Sequence, residues 1–388
     1  MKKTIKSLTF ILLTSFLLMT SITIFSLNGT TAPSFISAFN IPYQFGSLKA
    51  QSANAVAANG NVKKVIACGQ PFGIKMLTEG IMVVRLSDIN GSKDSCPAKK
   101  AGIQVGDIII SVGGEKITSN EDLSKVISSS GGKTVEVVLK RNNSDDKNPS
   151  VEEMSLKLTP EYCESEKSFK SGMWVRDSSA GIGTITFYDP STGAFGGLGH
   201  PICDADTGNI MPLSSGEICN VSITGCKKGL NGVPGELRGR FLSGNEIGNV
   251  TQNTTCGVFG KLNESPSDSD EIEIADFSDI KKGKAEILTT INGSEPARYS
   301  INIEQVNQDD PDSKNLVIKV TDKDLLEKTG GILQGMSGSP IIQNGKLVGA
   351  VTHVFVNNST MGYGILAQTM ISQSQTNSDS NNCLNLAA

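Results

Sequence analysis

The stretch Gly331–Val354, GILQGMSGSPIIQNGKLVGAVTHV, places Gly335 and Gly338 on either side of Met336-Ser337 and then runs into an apolar segment. Two readings of GMSGSP compete: a tight turn between strands, or a turn that presents a nucleophile. A Gly-x-Ser-Gly turn can aim the N–H groups of Gly335 and Ser337 at one point, the geometry needed to hold an oxyanion. After it, PIIQNGKLVGAVTHV reads as a β-hairpin with Asn344-Gly345 at its tip. The serine hydroxyl then needs a base elsewhere in the chain.

There are only two histidines. His200 lies in GGLGHPI, where small neighbours keep an imidazole accessible and let the backbone turn sharply. His353 lies in GAVTHVF, on the strand that follows the hairpin tip. A general base needs one ring nitrogen facing the hydroxyl and the other held in place, which favours His200.

Composition sets the outer limits. At 388 residues the chain suits two or three domains with a substantial core. Its 41 glycines and few aromatics suit short strands and many turns. The net charge is −4 and no long Lys/Arg block occurs, so a nucleic-acid surface is set aside. The eight cysteines, Cys68, Cys96, Cys163, Cys203, Cys219, Cys226, Cys256 and Cys383, form no CxxC pair. With two histidines they give no zinc-cluster spacing, and no metal or organic cofactor is expected. Disulfides among Cys203–Cys256 and buried free thiols both remain open.

At the N-terminus Lys2, Lys3 and Lys6 precede an apolar run from Leu8 to about Leu27, and no charge appears between Ser7 and Leu48. This pattern predicts a signal-anchor or signal peptide over 1–32. Pro33 directly after Thr30-Thr31-Ala32 favours the uncleaved anchor, with the remainder exported. The low-charge segment 33–62, ending AQSANAVAANGN, reads as a flexible tether.

A compact α+β module is expected over 63–142. Pro97–Ala101 forms a short helix before a turn at Gly102, and Gly106-Asp107 opens a strand that ends at Gly113-Gly114. Asn120 caps a helix over Glu121–Ser129, and KTVEVVLKR closes as a strand. The run PAKKAGIQVGDIIISVGG resembles bacterial, protease-associated PDZ domains. The resemblance implies a loop of the type Φ-Gly-Φ that receives a peptide carboxylate, matched here by Phe72, Gly73 and Ile74. The competing reading makes those residues a packing turn.

The charged segment between Asn142 and Pro160 reads as a loop containing a domain boundary. From 160 to 375 short strands alternate with Gly, Asp-Pro and Ser-Thr-Gly turns, which predicts an all-β sandwich or barrel. Residues 376–388 are left as a tail.

The order His first, serine late, with Gly-x-Ser-Gly-x-Pro and a hairpin, resembles trypsin-like peptidases and implies a double barrel. By that alignment Ser337, not Ser339, is the nucleophile, and Thr352 and His353 lie on the substrate-lining strand. The anchor, the PDZ module, GLGHPICDADTG and TGGILQGMSGSPIIQNGKLVGAVTHVFVN together resemble the SpoIVB family of sporulation serine peptidases. This resemblance implies a peptidase in the space between the two forespore membranes. It would cleave itself and then a membrane-associated regulator of an intramembrane protease, leading to sigma-K activation. It also assigns the catalytic acid to Asp322 in VTDKDLLEKTGG. Asp322 lies unusually close before the nucleophile, and it is also placed to cap the helix starting KDLLEK. Asp204, Asp206 and Asp276 share the interval between His200 and Ser337. Two other functions compete: a non-catalytic PDZ scaffold holding a membrane-protein tail, and a general envelope quality-control protease.

Overall fold

The computed structural model describes residues 63–91, 93–143, 150–230, 232–244, 246–310 and 314–384. The expected anchor and nearly all of the tether lie outside the described residues. Among the described residues no helix is long and apolar enough to cross a membrane.

Two closed six-stranded barrels form the body. The first contains β1 (Pro71–Leu86), β2 (Met173–Asp189), β3 (Ala194–Gly197), β4 (Leu213–Lys227), β5 (Gly248–Thr254) and β6 (Gly257–Leu262). Their pairings run β1-β2-β3-β6-β5-β4 and return to β1. The second contains β7 (Gly283–Thr289), β8 (Ala297–Val306), β9 (Leu316–Val320), β10 (Pro340–Gln343), β11 (Lys346–Phe355) and β12 (Asn358–Leu366). It closes in the same order, β7-β8-β9-β12-β11-β10. Both barrels therefore repeat one topology, and closure leaves neither with a free sheet edge of its own. The fold is mainly β, with the double barrel that the resemblance to trypsin-like peptidases implied.

Alternation fills each interior. Phe72, Ile74, Met76, Phe195, Ile218, Val250 and Val258 form the first core, with the Phe72 and Phe195 rings edge to face at 5.9 Å. Ile287, Ile301, Ile303, Ile318, Ile341, Val348 and Val351 form part of the second. Asn344 and Gly345 both take left-handed dihedrals, φ 53° and 78°, as the predicted hairpin tip requires.

The PDZ module is not a separate bead before the peptidase. β1 and β2 run on past the first barrel as a two-stranded ribbon, with Met82–Leu86 paired to Met173–Arg176. Strands Ile108–Val112, Val135–Asn143 and Ser150–Leu158 extend that sheet from β1. Helix α1 (Asn120–Ser129) and the short helix Pro97–Lys100 complete the module. Ser119 rather than Asn120 is its N-cap, in a reciprocal capping box with Asp122.

Two boundaries move as a result. The expected PDZ span 63–142 includes Pro71–Leu77, which is a barrel strand, and the expected loop around 142–160 holds a strand over Ser150–Leu158. Met154, Leu156 and Leu158 alternate inward toward the PDZ core, a period hidden in the sequence by the charges between them. Part of the expected tail continues the helix Ala367–Leu384. No disulfide joins cysteines among the described residues.

The expected carboxylate loop is also corrected. Phe72, Gly73 and Ile74 lie near the start of β1, paired to β4 on one side and β2 on the other, and Phe72 is fully buried. No backbone N–H there is free to meet a peptide. A side chain at Gly73 would collide with the Phe241 ring, so this glycine serves close packing. The N-terminus of α1 meets β2 near its start, where Asn120 N–H donates to the Asp177 carboxylate at 3.0 Å.

Candidate active site

The nucleophile turn lies on the seam between the barrels and is tied to both. Thr184 N–H donates to Ser337 O at 3.0 Å, Thr184 Oγ1 to Gly335 O at 2.9 Å, and Thr186 Oγ1 to Gly338 O at 2.7 Å. These bonds come from β2 in the first barrel. From the second barrel, Val351 O accepts from Gly338 N–H at 2.7 Å, and Val351 N–H donates to Ser339 O at 2.9 Å. Met336 is fully buried and roots the turn in the second core.

The turn leaves selected groups unused. Met336, Gly338 and Ser339 N–H groups all donate to carbonyls, whereas those of Gly335 and Ser337 have no acceptor among the described residues. Gly335 reaches this arrangement at φ +97°, a backbone state that suits glycine. A pair of undonated N–H groups beside a serine Oγ can receive a developing oxyanion.

Ser337 and Ser339 differ in the way the sequence suggested. Ser339 is fully buried, and its hydroxyl donates to Met336 O at 2.6 Å and accepts from the Thr289 hydroxyl at 2.8 Å. Ser337 is partly exposed, and its Oγ donates to Thr352 O on β11 at 2.6 Å.

His200 reaches the same seam from the first barrel. Leu198 and Gly199, at φ +64° and +69°, bend the chain sharply after β3. Any side chain at Gly199 would crowd Thr352 Cγ2 at 2.9 Å, so this glycine lets the His200 backbone lie against β11. The His200 ring stacks on His353 with centroids 4.9 Å apart. His200 Nδ1 lies 2.8 Å from Pro201 O. A carbonyl can only accept, so Nδ1 carries the proton and Nε2 keeps its lone pair. Burial holds the His200 imidazole below its usual pKa, partly offset by the Pro201 bond, so the ring is neutral at neutral pH. His353 is also held low, first by desolvation and then by electrostatic coupling to His200 and Lys314, although the residue as a whole is exposed.

Among the described residues no carboxylate is hydrogen-bonded to the His200 ring. Asp322 is the N-cap of α2 (Lys323–Thr329): one oxygen accepts from Leu325 N–H at 3.0 Å and the other from Ser300 N–H at 3.3 Å. In this structure Asp322, the acid that the resemblance implies, serves as a helix cap. The other acids are engaged too. Asp204 pairs with Arg176 at 2.7 Å and accepts from Thr207 N–H, and Asp276 accepts from Gln368. Asp206 is also bound to Arg176. Sequence reasoning missed Pro201, which carries no polar side chain to signal its part.

Asp322→Ala is accordingly expected to cost about 1 kcal/mol of stability through the lost cap. A triad acid would instead cost on the order of 10⁴-fold in kcat. Urea melts and peptide turnover on one preparation separate the two roles.

A profile described as SpoIVB peptidase S55 matches residues 167–371, more than half of the chain. The chain belongs to the SpoIVB peptidase S55 family. A PDZ profile matches 89–141 within the inserted module. The family is one of peptidases. Among curated relatives, the chain is 47% identical over 49 residues to serine protease HTRA1 of Xenopus tropicalis, covering 13% of this chain and 10% of that protein. It is 36% identical over 110 residues to a probable periplasmic serine endoprotease DegP-like of Bartonella henselae, covering 25% and 22%. The chain thus spans under a quarter of either relative. Among solved structures, the Rv3671c protease of M. tuberculosis in its inactive form matches at 12% identity and TM-score 0.29, over 50% of this chain and 82% of that one.

Proposed function

We propose that Ser337 is the nucleophile, His200 the general base, and the Gly335 and Ser337 N–H groups the oxyanion site. The observation that carries this reading is the pair of undonated N–H groups on a turn whose serine lies at the same seam as a neutral, Nδ1-protonated His200. Ser337 Oγ would leave Thr352 O, give its proton to His200 Nε2 and bond to the substrate carbonyl carbon. The proton would then pass to the leaving amine as the peptide bond breaks, and a water deprotonated by His200 would release the acyl group. Thr352 and His353, on β11, would flank the acyl side of the substrate.

We infer further that the protein acts outside the cytoplasm, first on itself and then on a membrane-associated regulatory protein that restrains an intramembrane protease, upstream of sigma-K. Support comes from the family and from the N-terminal pattern of three lysines and a long uncharged apolar run. Self-cleavage tests it directly. Wild-type protein is expected to lose its N-terminal segment by a cut between about Leu48 and Lys64, while His200→Ala stays full length in membranes. N-terminal sequencing of the released form decides: a new end near Pro33, or release that persists in His200→Ala, assigns the cut to another enzyme.

A further inference from the structure

The His200 ring is oriented by a backbone carbonyl, so the question becomes what holds that carbonyl. Pro201 C=O and Ile202 N–H are the two ends of one planar peptide unit. At the far end, Ile202 N–H donates to Asn253 Oδ1 at 2.8 Å. Asn253 Nδ2 then donates to Ile202 O at 2.9 Å and to Met211 O at 2.9 Å. Met211 N–H donates to the same Ile202 O at 3.0 Å.

Asn253 therefore grips both peptide units of Ile202 from β5, a strand of the closed first barrel. A peptide plane fixed at its N–H cannot rotate without moving its C=O. A hydrogen bond received at N–H also polarises the unit and strengthens its carbonyl as an acceptor.

We propose that Asn253 is a positioning residue for the base, acting through the chain Asn253 Oδ1, Ile202 N–H, Pro201 C=O and His200 Nδ1–H. In this assembly it does from a distance what a carboxylate does in a Ser-His-Asp triad: it fixes the tautomer and aims Nε2 at the seam. A neutral amide polarises the imidazolium less than a carboxylate would, which fits a base already kept neutral by burial. The proposal rests on His200 as the base.

The test uses the purified full chain and a peptide substrate. Asn253→Ala is expected to lower kcat on the order of 10²-fold with KM little changed. The acid limb of the pH profile should move to lower pH. The sign follows from the carbonyl: it favours the charged ring, so loosening it lets the His200 pKa fall further, and activity is lost only at lower pH. His353, the titratable ring stacked on His200, is present in every variant and so cancels from the comparison. Asn253→Asp keeps an acceptor for Ile202 N–H and is expected to recover part of kcat.

Wild-type kcat and pH profile in Asn253→Ala would overturn the proposal, as would a fall in kcat with an unmoved acid limb, which marks damage to the loop alone. Should Asn253→Ala fail to fold, nitrogen NMR of the wild-type chain decides, because only two histidines contribute. A neutral His200 protonated at Nδ1 supports the proposal, and an Nε2-protonated one overturns it. Turnover surviving in His200→Ala sinks the base assignment itself. A dead His200→Ala beside an unaffected Asn253→Ala sinks only the role given to Asn253.

Discussion

Replacing Ser337 with Ala is expected to remove peptide hydrolysis and labelling by a fluorophosphonate probe, with kcat falling at least about 10³-fold. The fold should survive, because Ser337 contributes one hydroxyl bond to Thr352 O at a partly exposed site. Ser337→Ala combined with His200→Ala should be little worse than either alone, since the two groups serve one proton transfer. Ser339→Ala provides the contrast. Its hydroxyl bridges Met336 O and the fully buried Thr289 Oγ1, so its loss strands a buried polar group at about 1–3 kcal/mol. The expected Ser339→Ala protein is less stable but still labelled, on Ser337. Labelling that survives Ser337→Ala and disappears in Ser339→Ala would reverse the assignment. Mass mapping of the adduct reads the answer from one digest.

The different exposure of these serines was legible in the sequence because it depends on residues within one turn. Spacing of Gly335, Ser337 and Gly338 dictates which hydroxyl points outward, and Asn344-Gly345 dictates the hairpin beyond it. The bend before His200 was legible for the same reason: glycines on its own loop let the chain turn sharply. What escaped was whatever depends on partners far along the chain. Phe72-Gly73-Ile74 has the pattern of a carboxylate-binding loop, but whether it binds a peptide or a neighbouring strand depends on β4, about 145 residues later, and on Phe241. Asn253 looks like any polar strand residue until barrel closure brings it to Ile202. For Asp322, the local reading as a helix cap matches the geometry.

Closure also explains why the PDZ insertion and the chemistry share a strand. β2 begins beside α1, where Asp177 meets Asn120 N–H, and only seven residues later Thr184 donates twice to the nucleophile turn. The turn is thus held from the first barrel by the same strand that closes the PDZ sheet. Its other anchor, Val351, belongs to the second barrel.

Gly338 is where these constraints converge, and Gly338→Ala is the second substitution with a large expected effect. At φ +96° an Ala backbone costs about 1–2 kcal/mol by itself. The added methyl would also fall inside the contact radius of Thr184 O and 2.6 Å from Leu198 N. Both obstacles are backbone, one on β2 and one on the bend that delivers His200, so neither can rotate aside. Relief would require the barrels to separate along the seam, breaking the bond from Thr186 Oγ1 to Gly338 O at 2.7 Å. The expected result is loss of probe labelling together with destabilisation of about 3 kcal/mol or more. Gly345→Ala is the matched control: it also sits at positive φ, +78°, but nothing lies within 4 Å of its added methyl. That variant should lose only about 1 kcal/mol and keep full labelling. Equal urea midpoints and equal labelling for the two variants would mean that the seam at Gly338 is not closed as described.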